Sequence, residues 1–494
     1  MINGKPIIRR LHTGVPGLDE VLGGGLPEFS FNLLAGPPGA GKTTLAHQMM
    51  FALATVQQPA IYFTVLGEPP LKMLRYQQQF DFFDDARINS AIHFINLAEE
   101  AASGNLDGVL KRIADEVQAH APAFVFVDSF RSVLLAGHGK DNIFLSLQQF
   151  VQQLGVLMTS WQATSFLLGE YFSEDDPSPI FTVADGLIWL RQAEQGNSIV
   201  RKMEIRKMRG QPSLPGLHTF RIDHTGLRVF APPPAISAAA SGPSRKIEQR
   251  LSTGITTLDE MMDGGLPAGY SLLVAGPSGS GKSILAGQFL VAGAARGEVG
   301  IIAAFEQRPN HSRGPTMSKL IDGGQVHVID TQSSTLSVDE VSTLLIAAID
   351  RLKATRVVLD SLSGFELALA PTFRAGFRES LARMMSALGT TGATVLLTSE
   401  LEDRYDELRF SPYGTAFLTD AIIVQRYIEV DSRLQRVMAV VKLRASNHSN
   451  ELRLFHINAD GIQMDRMLAD YEGLLGGRPT RRRPVSTQPD GQDD

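Results

Sequence analysis

Short apolar runs, each about as long as a buried strand, recur in the same order in the two halves of the chain. In the first half the predicted strands are SFNLLA (30–35), AIYFTVL (60–66), AFVFVDSF (123–130) and GVLMTS (155–160). In the second half they are YSLLVA (270–275), GIIAAFE (300–306), RVVLDSLS (356–363) and ATVLLTS (393–399). Predicted helices, TTLAHQMMFALA (43–54) and SILAGQFLVAGAA (283–295), follow the first strand of each half. Strands that alternate with helices predict an α/β fold, formed twice, with a mostly parallel sheet flanked by helices.

The two halves are also similar in sequence ahead of the first strand. The segment TGVPGLDEVLGGGLP from Thr13 aligns without a gap with TGITTLDEMMDGGLP from Thr253. A duplication explains a similarity of this length more simply than chance does. The Pro/Ala/Ser-rich stretch between the halves is typical of a linker. We therefore predict an N-terminal domain at 1–231, a linker at 232–246, a C-terminal domain at 247–471 and a disordered tail at 472–494.

The composition is that of an ordinary globular protein, and it excludes some functions. The 494 residues exceed what one hydrophobic core organises. With 46 Lys and Arg against 52 Asp and Glu, the net charge of −6 gives no sign of a protein that wraps DNA. The absence of cysteine excludes disulfides and thiolate metal sites. The first residues lack the apolar core of a signal peptide and no apolar run approaches the length of a membrane span, so we expect a cytoplasmic protein without membrane contact.

Two glycine-rich loops carry the clearest chemical signal. GPPGAGKT (36–43) and GPSGSGKS (276–283) both fit G-x-x-x-x-G-K-[ST], and each stands between a predicted strand and a predicted helix. The glycines of such a loop let backbone N–H groups turn toward a phosphate, the lysine adds positive charge, and the last hydroxyl binds Mg²⁺. The alternative is a Gly-rich turn with an incidental lysine. We predict that Lys42 and Lys282 hold the β- and γ-phosphates, and that Thr43 and Ser283 bind Mg²⁺.

Two aspartates, Asp128 and Asp360, each end an apolar run. A carboxylate at such a place is costly to bury without a partner. A Walker-B role, in which the carboxylate supports the magnesium shell, supplies that partner. The alternative is a helix cap, because Ser129 or Ser361 follows. We favour the metal role.

Hydrolysis also needs a carboxylate that orients and deprotonates water, commonly at the end of the strand beside the loop. The two copies differ here. The first has TVLGEPP, which contains Glu68, and the second has AAFEQRP, which contains Glu306. We predict a catalytic role for both glutamates, and the alternative is an exposed loop residue.

Paired basic residues recur near the end of each half. In IRKMRG (205–210) and VVKLRA (440–445), the Lys and Arg are two positions apart and face the same side of a strand. No acidic residue in the same stretch offers a local partner. A solvated strand edge is the plain alternative. Recurrence in both copies favours a finger that reaches the γ-phosphate of a neighbouring subunit.

Together these motifs resemble the KaiC family of double-domain ATPases, named for the cyanobacterial circadian clock protein. The resemblance runs from about residue 11 to about residue 463. It rests on L-D-E…G-G-L-P before each loop, the glutamate-bearing strand, V-D-S or L-D-S, the K-x-R strand and FLTDAIIVQRYIEV (417–430). It implies two tandem RecA-like P-loop NTPase domains, and a homohexamer of two stacked rings that binds ATP and Mg²⁺ between adjacent subunits.

The resemblance also implies roles for individual residues. The nucleotide-binding residues of the two loops would be Gly39, Ala40, Gly41, Lys42, Thr43 and Thr44, and Gly279, Ser280, Gly281, Lys282, Ser283 and Ile284. The residues that approach the neighbour's nucleotide would be Lys207, Met208, Arg209, Lys442, Leu443, Arg444, Ser446 and His448. Apart from the resemblance, the tail carries Arg481, Arg482 and Arg483, which could contact a regulatory protein partner, although a solvated charge run is the commoner case.

The chain departs from the family pattern where phosphorylation would occur. Each copy keeps only one of the family's two adjacent glutamates, with Gly67 in place of the first and Gln307 in place of the second. Ala416–Phe417 replace the Ser-Thr pair that clock members phosphorylate. The hydroxyls left in that loop include Ser411 and Thr415. We expect either weak phosphorylation there or none, with hydrolysis dominant.

Three functions remain open from the sequence. The first is a hexameric ATPase, with a possible Ser/Thr autokinase activity, that acts as a regulatory switch or timer. The second is a RecA-like DNA-dependent ATPase, but the loops at 170–185 and 400–420 are acidic overall and argue against nucleic acid. The third is a nucleotide-binding scaffold with little turnover, which the halved glutamate pairs favour.

Overall fold

The strand before each P-loop lies at the centre of a nine-stranded sheet, and all six of its residues are buried. The computed structural model describes residues 8–65, 70–102, 106–129, 143–172, 179–195, 198–232, 249–305, 315–329, 331, 336–369, 371–374, 376–401, 417–430, 432–467, 471–472 and 480–481. The chain divides into two compact units, Met1–Pro232 and Pro233–Asp494. Each unit holds one nine-stranded sheet flanked by helices, which confirms the predicted α/β class.

The first unit is built on one mixed sheet. The strands of the unit are β1 (Arg10–Leu11), β2 (Leu26–Pro27), β3 (Phe31–Gly36), β4 (Ala60–Thr64), β5 (Ile92–Asn96), β6 (Phe124–Asp128), β7 (Thr164–Glu170), β8 (Gly186–Gln195), β9 (Ser198–Met208), β10 (Leu217–Asp223) and β11 (Gly226–Phe230). Strands β1 and β2 pair with each other, apart from the large sheet. The large sheet has the order β11-β10-β9-β8-β3-β7-β6-β4-β5. The strands from β8 to β5 run parallel, and β9 to β11 continue the sheet as antiparallel hairpins.

The helices of the first unit cover both faces of this sheet. They are α1 (Leu18–Leu22), α2 (Lys42–Leu53), α3 (Pro70–Gln77), α4 (Ala98–Ala102), α5 (Leu106–His120), α6 (Ile143–Ser160) and α7 (Ile180–Val183). Successive residues of β3 point to opposite faces, so Leu34 belongs to one buried cluster and Leu33 to the other. A strand buried on both faces must be apolar throughout, which explains the continuous run in the sequence.

The second unit repeats the same plan. Its strands are β12 (Arg250–Leu251), β13 (Leu266–Pro267), β14 (Ser271–Gly276), β15 (Gly300–Ala304), β16 (Val326–Ile329), β17 (Arg356–Asp360), β18 (Thr394–Glu400), β19 (Ala421–Val430), β20 (Arg433–Leu443), β21 (Arg453–Asn458), β22 (Gly461–Met467), β23 (Tyr471–Glu472) and β24 (Thr480–Arg481). The helices are α8 (Thr256–Met261), α9 (Lys282–Ala294), α10 (Pro315–Asp322), α11 (Val338–Leu352), α12 (Leu362–Ala368), α13 (Pro371–Arg374) and α14 (Phe377–Thr391). The large sheet has the order β16-β15-β17-β18-β14-β19-β20-β21-β22.

One predicted strand is wrong. The run at 155–160 forms the last part of α6, and the strand beside β3 is β7. Val151, Leu154 and Met158 are buried at spacings of three and four residues, which is the face of a helix. A short apolar run has the same sequence pattern in a strand and at the end of a helix. The spacing of the apolar positions before the run distinguishes the two.

The shared segment ahead of each P-loop has a structural reason. The Asp19 carboxylate accepts hydrogen bonds from the backbone N–H and the hydroxyl of Thr13, and the Asp19 carbonyl accepts one from the N–H of Gly24. Asp259 repeats the bonds to Thr253 and Gly264. The segment is therefore a hydrogen-bonded entry into the central strand.

The C-terminal residues that the structure describes include two short paired strands. Within the predicted tail, β24 pairs antiparallel with β23. In the part of the chain that the structure describes, no helix is long and apolar enough to cross a membrane. The exact domain boundaries stay a prediction.

Candidate functional site

The first P-loop turns from β3 into α2 through glycines in the left-handed region. Gly39 has φ 73° and Gly41 has φ 102°, which side chains rarely adopt. A Cβ on Gly41 would lie only 2.6 Å from Cδ1 of Ile222. In the second loop Gly279 has φ 74° and Gly281 has φ 108°. Both loops thus keep the backbone shape that the glycine spacing predicts.

The lysine of each loop is folded over the loop itself. Lys42 Nζ donates to the carbonyl oxygens of Gly36 at 2.9 Å and Pro37 at 2.8 Å. Burial lowers the pKa of the Lys42 ammonium, while the charges of Glu170 and Asp128 oppose that shift. An anion bound beside this partly desolvated ammonium would stabilise its charge.

Lys282 repeats the arrangement in the second unit. Its Nζ donates to the carbonyl oxygens of Gly276 at 2.9 Å and Pro277 at 2.8 Å. Helix α9 begins after Gly281, and helix α2 begins after Gly41, without a side-chain cap in either case. The N–H groups of their first turns therefore have no capping side chain, which is the arrangement that helix N-termini use to bind phosphate.

The remaining predicted loop residues differ in exposure. Ala40 and Ser280 are fully buried, and Ser280 Oγ donates to Gln425 Oε1 at 3.0 Å. Ile284 is 39% exposed, and Thr44 is intermediate. A nucleotide that contacts the two buried positions would meet their backbone.

In the first unit, Asp128 at the end of β6 meets the P-loop hydroxyl. Thr43 Oγ1 donates to Asp128 Oδ2 at 3.0 Å, and Tyr62 Oη donates to the same oxygen at 2.7 Å. Burial raises the pKa of the Asp128 carboxyl, whereas these two hydrogen bonds and the charge of Lys42 lower it. The strand end therefore places the predicted Walker-B carboxylate against the predicted Mg²⁺-binding hydroxyl.

The second unit forms the same pair with a different supporting residue. Ser283 Oγ donates to Asp360 Oδ1 at 3.1 Å, and Thr398 Oγ1 donates to that oxygen at 2.5 Å. The helix cap proposed as an alternative for Asp360 is made by the next residue, because Ser361 Oγ accepts from the N–H of Gly364 at 3.1 Å. The Asp360 carboxylate accepts from Ser283 and Thr398.

The donor set fits a magnesium–nucleotide complex. A hydroxyl has one hydrogen and two lone pairs, so Thr43 and Ser283 each donate to an aspartate and keep lone pairs for a cation. Hydroxyl and carboxylate oxygens suit Mg²⁺, which takes its other ligands from phosphates and water. Among the described residues there is no group of three or more His, Asp or Glu that would hold a metal by itself. The fit is therefore to Mg²⁺ that arrives with a nucleotide.

The two predicted catalytic glutamates, Glu68 and Glu306, lie outside the described residues. The register of the strands before them corrects one part of the prediction. Val65 N donates to Asp128 O and Phe305 N donates to Asp360 O, so Val65 and Phe305 are equivalent. The next residue is Leu66 in one copy and Glu306 in the other, so Leu66, and not Gly67, corresponds to Glu306. Glu306 therefore stands one residue after Phe305, whereas Glu68 stands three residues after the equivalent Val65.

The K-x-R pair of the first unit has partners that the sequence stretch did not contain. Arg209 Nη1 donates to Asp185 Oδ1 at 3.0 Å, and the Arg209 side chain is 58% exposed. Lys207 Nζ donates to the carbonyl oxygens of Phe181 at 3.3 Å and Thr182 at 2.9 Å. Burial lowers the pKa of Lys207, and the charge of Arg209 acts in the same direction.

The second unit repeats this contact. Arg444 Nη1 donates to Asp420 Oδ1 at 3.3 Å, and Lys442 Nζ donates to the carbonyl oxygen of Thr419 at 2.6 Å. Burial lowers the pKa of Lys442, as the nearby charge of Arg444 also does. Each arginine therefore rests on the aspartate that precedes the strand next to the central one.

Both K-x-R pairs lie at the end of the sheet opposite their own P-loop. Met208 pairs with Gly186, and Gly186 pairs with Asn32 near the start of β3, whereas the P-loop leaves β3 at Gly36. Four residues of strand separate the two levels by about 13 Å. The K-x-R side chains of a unit therefore lie away from the phosphate loop of that same unit.

The other residues predicted to approach a neighbour's nucleotide are held within the unit. Met208 and Leu443 point into the hydrophobic clusters, so only their backbone remains for such a contact. Ser446 Oγ accepts a hydrogen bond from Arg250 Nη2 at 2.6 Å. His448 Nδ1 lies 3.1 Å from the carbonyl oxygen of Ser449.

Sequence reasoning missed the groups that surround the aspartates. Tyr62 and Thr398 lie in apolar strands, where the sequence pattern indicates a residue that packs in the core and gives no sign that its hydroxyl has a polar partner. Glu170 ends β7, and its charge acts on both Lys42 and Asp128. A polar residue near the carboxyl end of a strand next to the Walker-B strand was the available signal.

Comparisons with known proteins agree with the duplication of the chain. A family model described as "ATPase: KaiC" matches residues 11–233 and 251–468. The circadian clock oscillator protein KaiC 1 of Synechocystis sp. is 26% identical over 492 residues, which cover 96% of this chain and 92% of the relative. The circadian clock oscillator protein KaiC of Rippkaea orientalis is 26% identical with the same coverage. That of Parasynechococcus marenigrum is 25% identical and covers 96% of this chain and 94% of the relative.

Proposed function

The chain belongs to the KaiC family of ATPases, and from that premise we propose that it forms a homohexamer of two stacked rings that binds and hydrolyses ATP. The two RecA-like units would each supply one ring. The nucleotide would lie between adjacent subunits in each ring. The assembly would act as a regulatory switch or timer whose state follows its bound nucleotide.

The placement of Arg209 and Arg444 supports the assembly more than any other observation. Each arginine is about half exposed, with 58% and 52% of the side chain accessible. Each lies at the end of its sheet away from its own P-loop, so its guanidinium would not reach a nucleotide bound to the P-loop of the same unit. A guanidinium becomes a phosphate ligand only if another subunit presents a phosphate to it.

Within one site, each residue has a separate task. Lys42 or Lys282 leaves the loop carbonyls to hold the β- and γ-phosphates, together with the N–H groups at the start of α2 or α9. Thr43 with Asp128, or Ser283 with Asp360, positions the cation. Bound Mg²⁺ neutralises the charge that develops on the transferring phosphoryl group.

We propose that hydrolysis dominates over phosphoryl transfer to the chain itself. Glu306 would orient and deprotonate water in the second unit, and Glu68 would have that role in the first. Glu306 directly follows the residue that pairs with the Walker-B strand, whereas Glu68 stands two positions further along, so we assign the faster turnover to the second unit. Autokinase activity would be confined to weak transfer to Ser411 or Thr415.

One experiment separates the candidate functions. Light scattering with and without ATP gives the mass of the assembly, and phosphate release with and without DNA gives the turnover. We expect six chains with ATP, slow turnover and no response to DNA. Glu306→Gln should remove most of the turnover without loss of bound nucleotide. An ATP-saturated monomer would overturn the ring, strong stimulation by DNA would favour a DNA-dependent motor, and full occupancy without turnover would favour a scaffold.

A further inference from the structure

Each Walker-B aspartate receives a second hydroxyl, and the two units take that hydroxyl from different strands. In the first unit it belongs to Tyr62 of β4, at 2.7 Å from Asp128 Oδ2. In the second unit it belongs to Thr398 of β18, at 2.5 Å from Asp360 Oδ1. The Walker-B strand lies between β4 and β7 in one sheet and between β15 and β18 in the other. The supporting hydroxyl therefore comes from opposite sides of equivalent strands.

The register shows that this is an exchange between two positions. Tyr62 pairs with the residue two before Asp128, and Ile302 pairs with the residue two before Asp360. Leu168 of β7 pairs with the fourth residue of β3, and Thr398 pairs with the fourth residue of β14. Each unit thus has one hydroxyl side chain and one aliphatic side chain at these positions, in opposite order.

We infer that Tyr62 and Thr398 are positioning residues, which hold the Walker-B carboxylates in the orientation that binds the magnesium–nucleotide complex. This inference rests on the proposed metal role of Asp128 and Asp360. If Tyr62 only used Asp128 to satisfy its own buried hydroxyl, its loss at Ile302 would need no replacement. The second unit nevertheless supplies a hydroxyl from the other side.

The geometry explains how such a residue would act. Thr43 approaches Asp128 from the start of a helix, and Tyr62 approaches the same oxygen from a strand, so the two bonds fix the rotation of the carboxylate. The Tyr62 ring is fully buried, with its centroid 4.6 Å from that of His47 and 6.0 Å from that of Phe126. Burial and the charge of Asp128 raise the pKa of Tyr62 well above its usual value, so its hydroxyl stays a donor.

The test measures magnesium dependence of nucleotide binding, one unit at a time. In a Lys282→Ala background only the first unit binds, and a fluorescent ADP is titrated at increasing Mg²⁺ and again in excess EDTA. Tyr62→Phe keeps the aromatic ring of the side chain and removes only its hydroxyl. We expect the Mg²⁺ midpoint to rise about ten-fold, because groups that orient metal-site residues typically contribute at least that much, while binding in EDTA stays unchanged. Tyr76→Phe, at an exposed position of the same unit, is the matched control and should not move the midpoint.

A double variant tests whether a hydroxyl on β7 can replace the hydroxyl of Tyr62. Adding Leu168→Thr to Tyr62→Phe gives the first unit the arrangement of the second, and it should bring the midpoint most of the way back. In a Lys42→Ala background, Thr398→Val should raise the midpoint of the second unit, with Thr343→Val on an exposed helix position as its control. Thermal melting of each variant shows whether the unit is still folded.

The outcomes distinguish this inference from the proposed function. If Asp128→Asn raises the Mg²⁺ midpoint and neither Tyr62→Phe nor Thr398→Val does, the positioning role is wrong and the metal role stands. Weaker binding of Tyr62→Phe in EDTA and in Mg²⁺ alike would show a general packing role, which also overturns the inference. If Asp128→Asn leaves the midpoint unmoved, the metal role itself fails.

Discussion

The guanidinium of Arg209 lies on the carboxylate of Asp185, with 3.0 Å between Nη1 and Oδ1. The other oxygen of Asp185 accepts a hydrogen bond from the backbone N–H of Phe31, the first residue of the central strand, at 3.1 Å. The contact therefore joins the K-x-R strand to the strand that carries the P-loop. A neighbour's γ-phosphate would compete with Asp185 for the same guanidinium, because both anions accept paired N–H donors.

Removing that guanidinium should weaken the assembly. We expect Arg209→Ala to lower the fraction of ATP-assembled hexamer, and to lower the turnover of the first ring by ten-fold or more, since a finger supplied in trans typically contributes about 10³ or more to the rate of phosphoryl transfer. Arg444→Ala should do the same for the second ring. Arg351→Ala, at an exposed helix position, is the control. Light scattering and phosphate release at saturating ATP check this, and full assembly with full turnover in both variants would contradict the trans role.

Each P-loop lysine should serve one nucleotide only. Lys42 and Lys282 each donate hydrogen bonds to carbonyl oxygens of their own loop, so we expect each substitution to act on one site. Lys42→Ala and Lys282→Ala should each reduce bound nucleotide from two per chain to one, and the double variant should bind none. Nucleotide released by acid and counted by chromatography measures this, with Lys353→Ala as an exposed control. If one substitution empties both sites, the units do not bind independently.

The first unit should lose stability in acid because of His47. Burial lowers the pKa of His47 to about 4, and Gln77 lies close enough to oppose this shift without a hydrogen bond to either ring nitrogen. The unfolded chain takes up this proton near pH 6.5 and the folded unit does so only near pH 4. Stability is therefore complete above pH 6.5, falls by about 3 kcal/mol as the pH drops to about 4, and changes no further below that.

His47→Leu should remove this part of the acid sensitivity. The comparison is the difference in unfolding free energy between the variant and the original chain at pH 7.5 and pH 4.5. This difference should favour His47→Leu more at pH 4.5 than at pH 7.5. The same difference for His224→Gln, at an exposed position, should not change between the two pH values. An equal difference at both values would show that His47 is not a buried neutral histidine.

The second unit should depend on a buried ion pair. Arg356 Nε lies 2.6 Å from Glu298 Oε2, and the Arg356 side chain is 1% exposed. Its guanidinium also donates to the carbonyl oxygens of Ser252 and Phe289, both at 2.7 Å, so its loss leaves several acceptors unpaired. We expect Arg356→Ala to cost about 3–5 kcal/mol. Hydrogen exchange of the β17 amides in the full chain measures this loss, and a change under about 1 kcal/mol would contradict it.

The sequence predicted the two units, both P-loops and the two aspartates because each of these has a local pattern. Gly41 and Gly281 are required by a backbone conformation that the motif spacing already describes. The contacts that the sequence did not reveal are all between distant segments. Asp185 stands 24 residues before Arg209, and Tyr62 stands 66 residues before Asp128. Such pairs become visible only once the order and register of the strands are known.

The error at 155–160 has a local origin instead. Strand and helix both bury short apolar runs, and only the buried positions before the run separate the two periods. Gly67 is likewise not the counterpart of Glu306, because the strand register makes Leu66 that counterpart. Local patterns thus located the two P-loops, while the different spacing of the two predicted glutamates showed only in the register of the strands before them.

The exchange of hydroxyls between Tyr62 and Leu168 on one side, and Ile302 and Thr398 on the other, constrains how the two copies could have diverged. Two substitutions separate the arrangements, so one of them had to come first. A path that loses the old donor first leaves the carboxylate with the P-loop hydroxyl alone, whereas a path that gains the new donor first must fit both into one buried space. If Tyr62 and Thr398 position the carboxylates as we infer, only the second path keeps a second donor at every step, and the packing room beside the carboxylate would then limit the order of the two changes.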